Sequence, residues 1–126
     1  EFSNFLEQND ISFGYEDYKI SYLKPEKSSK YTPDFNCPTG NIRIFFETKG
    51  QFLTSDRRKH LLVKNQHPQL DIRFVFSNSK NKIGKKSKTT YAKWCELKGF
   101  RYHCIYTTKK FLPDEWLNEI KQSQQD

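Results

Sequence analysis

A chain of 126 residues supplies one domain with a modest core, and with 34 % apolar but 16 % aromatic residues its burial has to lean on rings. Twenty-two Lys and Arg against fifteen Asp and Glu leave a formal charge of +7, which favours a polyanionic partner, nucleic acid before a membrane surface. No apolar run nears the roughly 18–20 residues that cross a bilayer, the N-terminus lacks a signal-peptide pattern, and Cys37, Cys95 and Cys104 are odd in number and form no CxxC pair, so the expectation is a soluble intracellular protein with reduced, buried thiols.

In chain order, Phe2, Phe5 and Leu6 stand at helical spacing, and Asn9 and Asp10 suit a helix end. From Ile11 to Leu23 the period becomes two, with a change of parity near Glu16 and Asp17 that predicts a bend between two strand halves. "KPEKSSK", 24–30, reads as a polar connector, and "YTPDFN" as a short extended piece whose Pro33 favours an edge or strand end. "CPTGN" predicts a turn, and "NIRIFFETKG" a strand that pairs back antiparallel and closes on Gly50. Thr54 or Ser55 is expected to cap a helix that runs to Pro68, followed by the strand "DIRFVF". Strand, helix, strand in that order predicts a crossover to a parallel neighbour. A lysine-rich loop spans 77–88, a second helix "YAKWCELK" ends at Gly99, "RYHCIY" is a final strand, and a last helix starts with Pro113 in its first position. The composite is α/β: a mixed β-sheet flanked by α-helices. Trp94, Trp116 and the phenylalanines sit at core periodicity.

The chemistry is carried by one strand end. Residues two apart in a strand share a face, so Arg43, Phe45, Glu47 and Lys49 line one side, while Ile42, Ile44 and Phe46 line the core. Asp34 lies on the preceding extended piece, where pairing would bring it beside Glu47. Two carboxylates from neighbouring strands suit Mg²⁺, which takes oxygen ligands at about 2.0–2.1 Å and retains water and phosphate as the rest. Such an ion activates water and offsets phosphate charge, and a neighbouring lysine orients that water or neutralises the phosphate. Taken singly, a Glu and a Lys on a strand face are a solvated pair and Pro-Asp is a turn. In combination, Pro33-Asp34, a turn, and an apolar strand into Glu47-Thr48-Lys49 form the PD…(D/E)xK pattern of restriction-endonuclease-like nucleases.

Arg57, Arg58, Lys59 and His60 open the following helix, and Lys80, Lys82, Lys85, Lys86 and Lys88 stud the later loop. As groups they are candidate DNA contacts, gripping phosphates rather than base edges, although each alone is an ordinary solvated charge.

The stretches "YTPDF", "FFETKG", "SDRRKHLL", "QHPQLDIRFVFSNS" and "LPDEW" resemble the phage endonuclease I family, the dimeric Holliday-junction-resolving enzymes of podophages, along nearly the whole chain. The resemblance implies a restriction-endonuclease-like fold and a structure-selective, Mg²⁺-dependent endonuclease, with Mn²⁺ substituting and no small-molecule cofactor. It implies cutting of branched DNA, four-way junctions above all, to leave 5′-phosphates, in the cytoplasm of a bacterial host. Carried over by position, Asp34 and Glu47 are the metal carboxylates, Thr48 gives its backbone carbonyl, and Lys49 is the catalytic lysine. The family's first-helix glutamate falls just upstream of residue 1 in a gapless match. Glu1 takes that role only with a slip, and Glu7 reads as exposed; the basic terminal extensions of the family are missing, as in a trimmed chain. The resemblance further implies a domain-swapped homodimer, with 1–23 as the swapped helix and strand, 24–30 as connector and 31–126 as the catalytic body. The rival readings are a catalytically weak structure-specific DNA-binding protein of the same fold, and a sequence-specific restriction-type nuclease.

Overall fold

The computed structural model describes residues 1–24, 27–40 and 42–125. The first helix, α1 (Phe2–Gln8), turns Phe2 and Leu6 into the core. The expected parity change is a break between two sheets. Glu16 takes a left-handed φ of 50° between β1 (Gly14–Tyr15) and β2 (Ile20–Lys24). A Cβ at Gly14 would lie 2.3 Å from Asp17 Oδ1, so the Asp17 and Asn36 side-chain ends close over this position and would have to shift for any larger residue.

The stretch read as a polar connector is largely strand. β3 (Lys27–Tyr31) pairs antiparallel with β2, Ile20 opposite Tyr31 and Lys24 opposite Lys27. Its Ser and Lys content hides this, since Tyr31 alone carries an apolar body inward; Pro25 and Glu26 of that stretch lie outside the described residues. Within one chain the hairpin lies on a helix, α2 (Thr54–Gln66), where the Gln66 side chain bonds both N–H and C=O of Leu23, each at 2.6 Å.

The main sheet runs β1-β4-β5-β6-β7, with β4 (Phe35–Pro38), β5 (Arg43–Lys49), β6 (Asp71–Phe76) and β7 (Arg101–Cys104). β4 and β5 are antiparallel, β5 and β6 parallel, β6 and β7 parallel. The fold is therefore α/β, a five-stranded mixed sheet flanked by helices. Ile44, Phe46 and Val75 face α1 and the last helix, α5 (Asp114–Gln125), around Trp116. On the other face, Phe45 and Ile72 meet Val63 of α2 and the hairpin. Phe74 and Phe76 meet Phe52 and, from α3 (Tyr91–Lys98), Tyr91 and Trp94. Both faces of β5 are thus covered, so Phe45 and Glu47 are buried along with Ile44 and Phe46, while Ile42 is half exposed at the turn.

Three boundaries differ from the sequence reading. α2 is capped by Leu53 rather than Thr54 or Ser55; Asp56 supplies the side-chain part, its carboxylate accepting the Leu53 N–H at 3.1 Å. The strand 101–106 stops at Cys104, and Ile105–Thr108 coil into a helical turn, α4, with Thr108 Oγ1 donating to the Cys104 carbonyl. Pro113 precedes α5, its carbonyl accepting the Trp116 and Leu117 amides. The tryptophans are core and the three cysteines are free and buried, as expected. No helix among the described residues is long and apolar enough to cross a membrane.

A buried arginine fixes α5 to the sheet. Arg73 is wholly enclosed, with two bonds to Asp71 (2.9 and 2.8 Å) and two to Glu119 (2.9 and 3.2 Å), beneath the Trp116 ring. An unpaired guanidinium could not be kept there.

Candidate active site

The register Phe35 opposite Phe46, carried one step beyond β4, brings Asp34 beside Glu47. A reciprocal latch results. The Asp34 amide donates to Glu47 Oε1 at 2.8 Å, and Asp34 Oδ2 accepts both the amide and the hydroxyl of Thr48, each at 3.0 Å. Pro33 is the reason the strand stops one residue short, since it has no N–H for the ladder. The freed backbone groups of 34 and 48 then bond to side chains.

Lys49 Nζ lies 3.7 Å from Glu47 Oε2 and 3.3 Å from Asp56 Oδ1. Asp34, Thr48 and Lys49 line a cleft of about 660 Å³ with Glu1, Glu7, Gly50 and Ser77. Glu47 stands behind that lining and is only 2 % exposed. Under it lies His60, with no exposure at all and Nε2 at 3.6 Å from Glu47 Oε2. Tyr31, Phe74 and Phe100 surround the imidazole edge-on.

The two carboxyls titrate in opposite directions. Burial, and next the charge of Glu47, push Asp34 above the ordinary carboxylate range, and the two Thr48 bonds only partly offset this. Burial also works to raise Glu47, but His60, the Asp34 amide and Lys49 together outweigh it and hold Glu47 below its usual value. His60 is lowered chiefly by burial, so at neutral pH it is an uncharged imidazole beside an ionised glutamate. The arrangement thus favours the charged form of Glu47 and disfavours that of Asp34.

That donor set suits a hard cation: two carboxylates and the Thr48 oxygens, with the carboxylates facing each other's charge. Among the described residues no three His, Cys, Asp or Glu side chains converge into a metal cluster.

The basic residues divide. His60 is not a DNA contact, as the sequence reading had it, because a fully enclosed ring cannot touch phosphate. Arg57 donates to the Phe52 carbonyl and to Thr54 Oγ1 and lies over the Phe52 ring, so it is engaged with its own helix start. Lys59 Nζ lies 5.4 Å from the centre of the Tyr31 ring, and Arg58 is exposed. Lys80, Lys82, Lys85 and Lys86 are all exposed. The first three line a groove of about 810 Å³ along Gly50–Thr54, and Gly50 also borders the catalytic cleft. Basic groove and cleft thus adjoin at the end of β5.

A family model described as phage endonuclease I matches residues 1–125. The chain belongs to the phage endonuclease I family. It is 45 % identical to endonuclease I of Escherichia phage T7 over 120 residues, which covers 95 % of this chain and 75 % of that protein. It is 50 % identical to endodeoxyribonuclease 1 of Enterobacteria phage T3, again over 95 % of this chain and 74 % of the relative. In this phage endonuclease Asp34, Glu47, Thr48 and Lys49 lie together at the end of β5. What the sequence reading missed is the inner side of the site: Asp56 as partner of Lys49, and His60 and Tyr31 packed around Glu47. The one signal for His60 is its place one turn before the buried Val63 on α2, masked by the run "RRKH".

Proposed function

We propose that this endonuclease hydrolyses phosphodiesters in branched DNA, four-way junctions first, using Mg²⁺ held by Asp34, Glu47 and the Thr48 carbonyl. The observation that carries the reading is the latch between Asp34, Glu47 and Thr48 with Lys49 at its side. A bound Mg²⁺ would supply a water of lowered pKa and offset charge on the attacked phosphate. Thr48 fixes the Asp34 carboxylate through its amide and hydroxyl, so the acid is preorganised rather than free to rotate. Asp56 holds the Lys49 ammonium within reach of the cleft, where it meets the phosphate as negative charge builds on it. The leaving group is the 3′-oxygen, which gives a 5′-phosphate. A homodimer would offer two matching sites to the two related phosphates of a junction.

The deciding experiment is cleavage of a synthetic four-way junction, with and without chelator, beside a linear duplex of the same sequence. Metal-dependent paired nicks in the junction alone are expected. Fixed-site cutting of the linear duplex would favour the restriction-type reading. Binding without nicking would favour the catalytically weak protein of the same fold. The specific observation on that side is that no third acidic group converges on Asp34 and Glu47 among the described residues, although Glu1 and Glu7 border the same cleft.

Lys49→Ala is expected to slow single-turnover cleavage by about 10²–10³-fold, the effect of losing one group that acts on developing charge, while the junction Kd changes little. Equal loss in both would make Lys49 a phosphate anchor only.

The lysine groove gives a separate prediction. With Lys80, Lys82 and Lys85 replaced together by Ala, the slope of log Kd against log salt should become shallower by about 1 for each lysine that touches phosphate. An unchanged slope would place the DNA elsewhere.

A further inference from the structure

Among the described residues, the buried side-chain nitrogens and oxygens without a hydrogen-bond partner are the Tyr31 hydroxyl and the two ring nitrogens of His60. Both groups pack around Glu47. Tyr31 meets the His60 ring edge-on, with centroids 5.0 Å apart, and the Glu47 charge adds to burial in raising its hydroxyl pKa. Buried polar atoms are ordinarily satisfied, so orphans confined to one place are a property of that place. An apolar ring would fill the same space among Tyr31, Phe74 and Phe100 with no polar atom to hide.

Glu47 shows what the imidazole is for. Oε1 takes the Asp34 amide at 2.8 Å. Oε2 has Lys49 at 3.7 Å and His60 at 3.6 Å, both longer than a hydrogen bond. Lys49 already leans toward Asp56, and neutralising a phosphate draws its ammonium toward the cleft. Two donors are then left on the buried side of Glu47, the His60 ring N–H and the Tyr31 hydroxyl; His60 Nε2 is the one set 3.6 Å from Oε2, and a small rotation of the glutamate closes that gap; such contacts are commonly long before substrate binds.

We propose that His60 is a positioning residue for Glu47: through Nε2–H it donates to Oε2 and sets the angle at which the carboxylate meets the cation, with the Tyr31 ring packed edge-on against the imidazole. The inference rests on Glu47 being a metal ligand. It explains a polar ring in a fully enclosed aromatic pocket, and it makes His60 to this glutamate what outer-shell hydrogen-bond partners are to metal ligands in general.

The test compares His60→Phe, which keeps ring and packing, with His60→Gln, which keeps an N–H donor. Each is read by calorimetry with Mn²⁺ on the DNA-free protein, by junction Kd in chelator, by Tm, and by single-turnover cleavage. His60→Phe should keep junction affinity, weaken Mn²⁺ binding about 10–100-fold, and slow cleavage at limiting Mn²⁺ by a similar factor that excess metal recovers. His60→Gln should regain most of the loss. Wild-type Mn²⁺ binding in His60→Phe overturns the proposal, as does a His60→Gln protein with unchanged Tm that is as deficient as His60→Phe. Should His60→Phe fail to fold, the ring ¹⁵N resonances of the unaltered chain decide. A proton on Nε2 whose shift responds to Glu47→Gln supports the assignment, and a proton on Nδ1 overturns it. A wild-type chain that cuts no DNA, yet binds Mn²⁺ through a His60-sensitive site, overturns the endonuclease mechanism proposed above and leaves the role of His60 standing.

Discussion

Asp34→Asn and Glu47→Gln are each expected to reduce junction cleavage about 10³-fold, within the range for removing one group that acts in the transition state, while leaving junction binding in chelator close to wild type. Removing a carboxylate takes away a proposed metal ligand without touching the lysines proposed to hold phosphate. Undiminished turnover in either variant removes that residue from the mechanism. The two should part company in stability, because their environments push in opposite directions. Asp34 is raised, mainly by burial and then by the charge of Glu47. Its ionised form therefore opposes folding at neutral pH, and that opposition fades as pH falls through its raised pKa. Glu47 is lowered, so its charge favours folding above the ordinary glutamate pKa, and this contribution is lost as pH falls toward the lowered value. In chelator at neutral pH, Asp34→Asn should melt above wild type and Glu47→Gln below it. The Asn oxygen still accepts from Thr48, so the latch survives. An Asp34→Asn protein that melts lower would mean that the latch, not the charge, governs this corner. Stability given up for a cation site is a familiar feature of active sites.

Phe74→Ala is expected to destabilise the protein by about 3–5 kcal/mol, a large part of the roughly 5–15 kcal/mol available to a domain. Phe74 is fully buried in the middle of β6. Its ring lies 5.0 Å from Phe52, 4.7 Å from His60 and 5.3 Å from Phe100, centroid to centroid. The void would open beside the His60 ring. Urea denaturation followed by circular dichroism measures the shift of the midpoint at constant m-value. A change under 1 kcal/mol would show that the aromatic cluster repacks around the gap.

Much of this architecture was readable from residue order, for reasons that are physical. The run from Ile44 to Phe46 leads straight into Glu47, and Pro33 marks where pairing must cease, so the meeting of Asp34 with Glu47 follows from one register. The strand, helix, strand order around α2 left little choice but a parallel β5–β6 pair. β3 escaped notice because "KSSKY" carries neither alternation nor β-branched residues; its place comes from pairing with β2, which Gln66 of α2 in turn holds at Leu23, forty-three positions away. The helical turn after Cys104 escaped because Ile105 and Tyr106 continue an apparent strand. It is set by tertiary bonds, the Tyr106 amide to the Ser77 carbonyl among them. His60 was misread for a different reason: beside Arg57, Arg58 and Lys59 it looks like one more surface cation, and only three-dimensional packing reveals that α2 turns it inward.

The two indoles lie on opposite faces of the main sheet. Trp94 stacks on Phe100 at 5.6 Å in one aromatic cluster, and Trp116 lies against Phe46 in the other, with the guanidinium groups of Arg73 and Arg101 5.1 and 5.4 Å from its ring centre. Each therefore glows from its own half of the molecule, and replacing one with phenylalanine leaves a single indole, excited selectively over the tyrosines at the red edge of absorption, watching α5 or α3 alone. A change that loosens only the side bearing α1 would dim or shift the emission of Trp116 while Trp94 stayed silent, so the protein carries an optical means of telling which of its layers has moved.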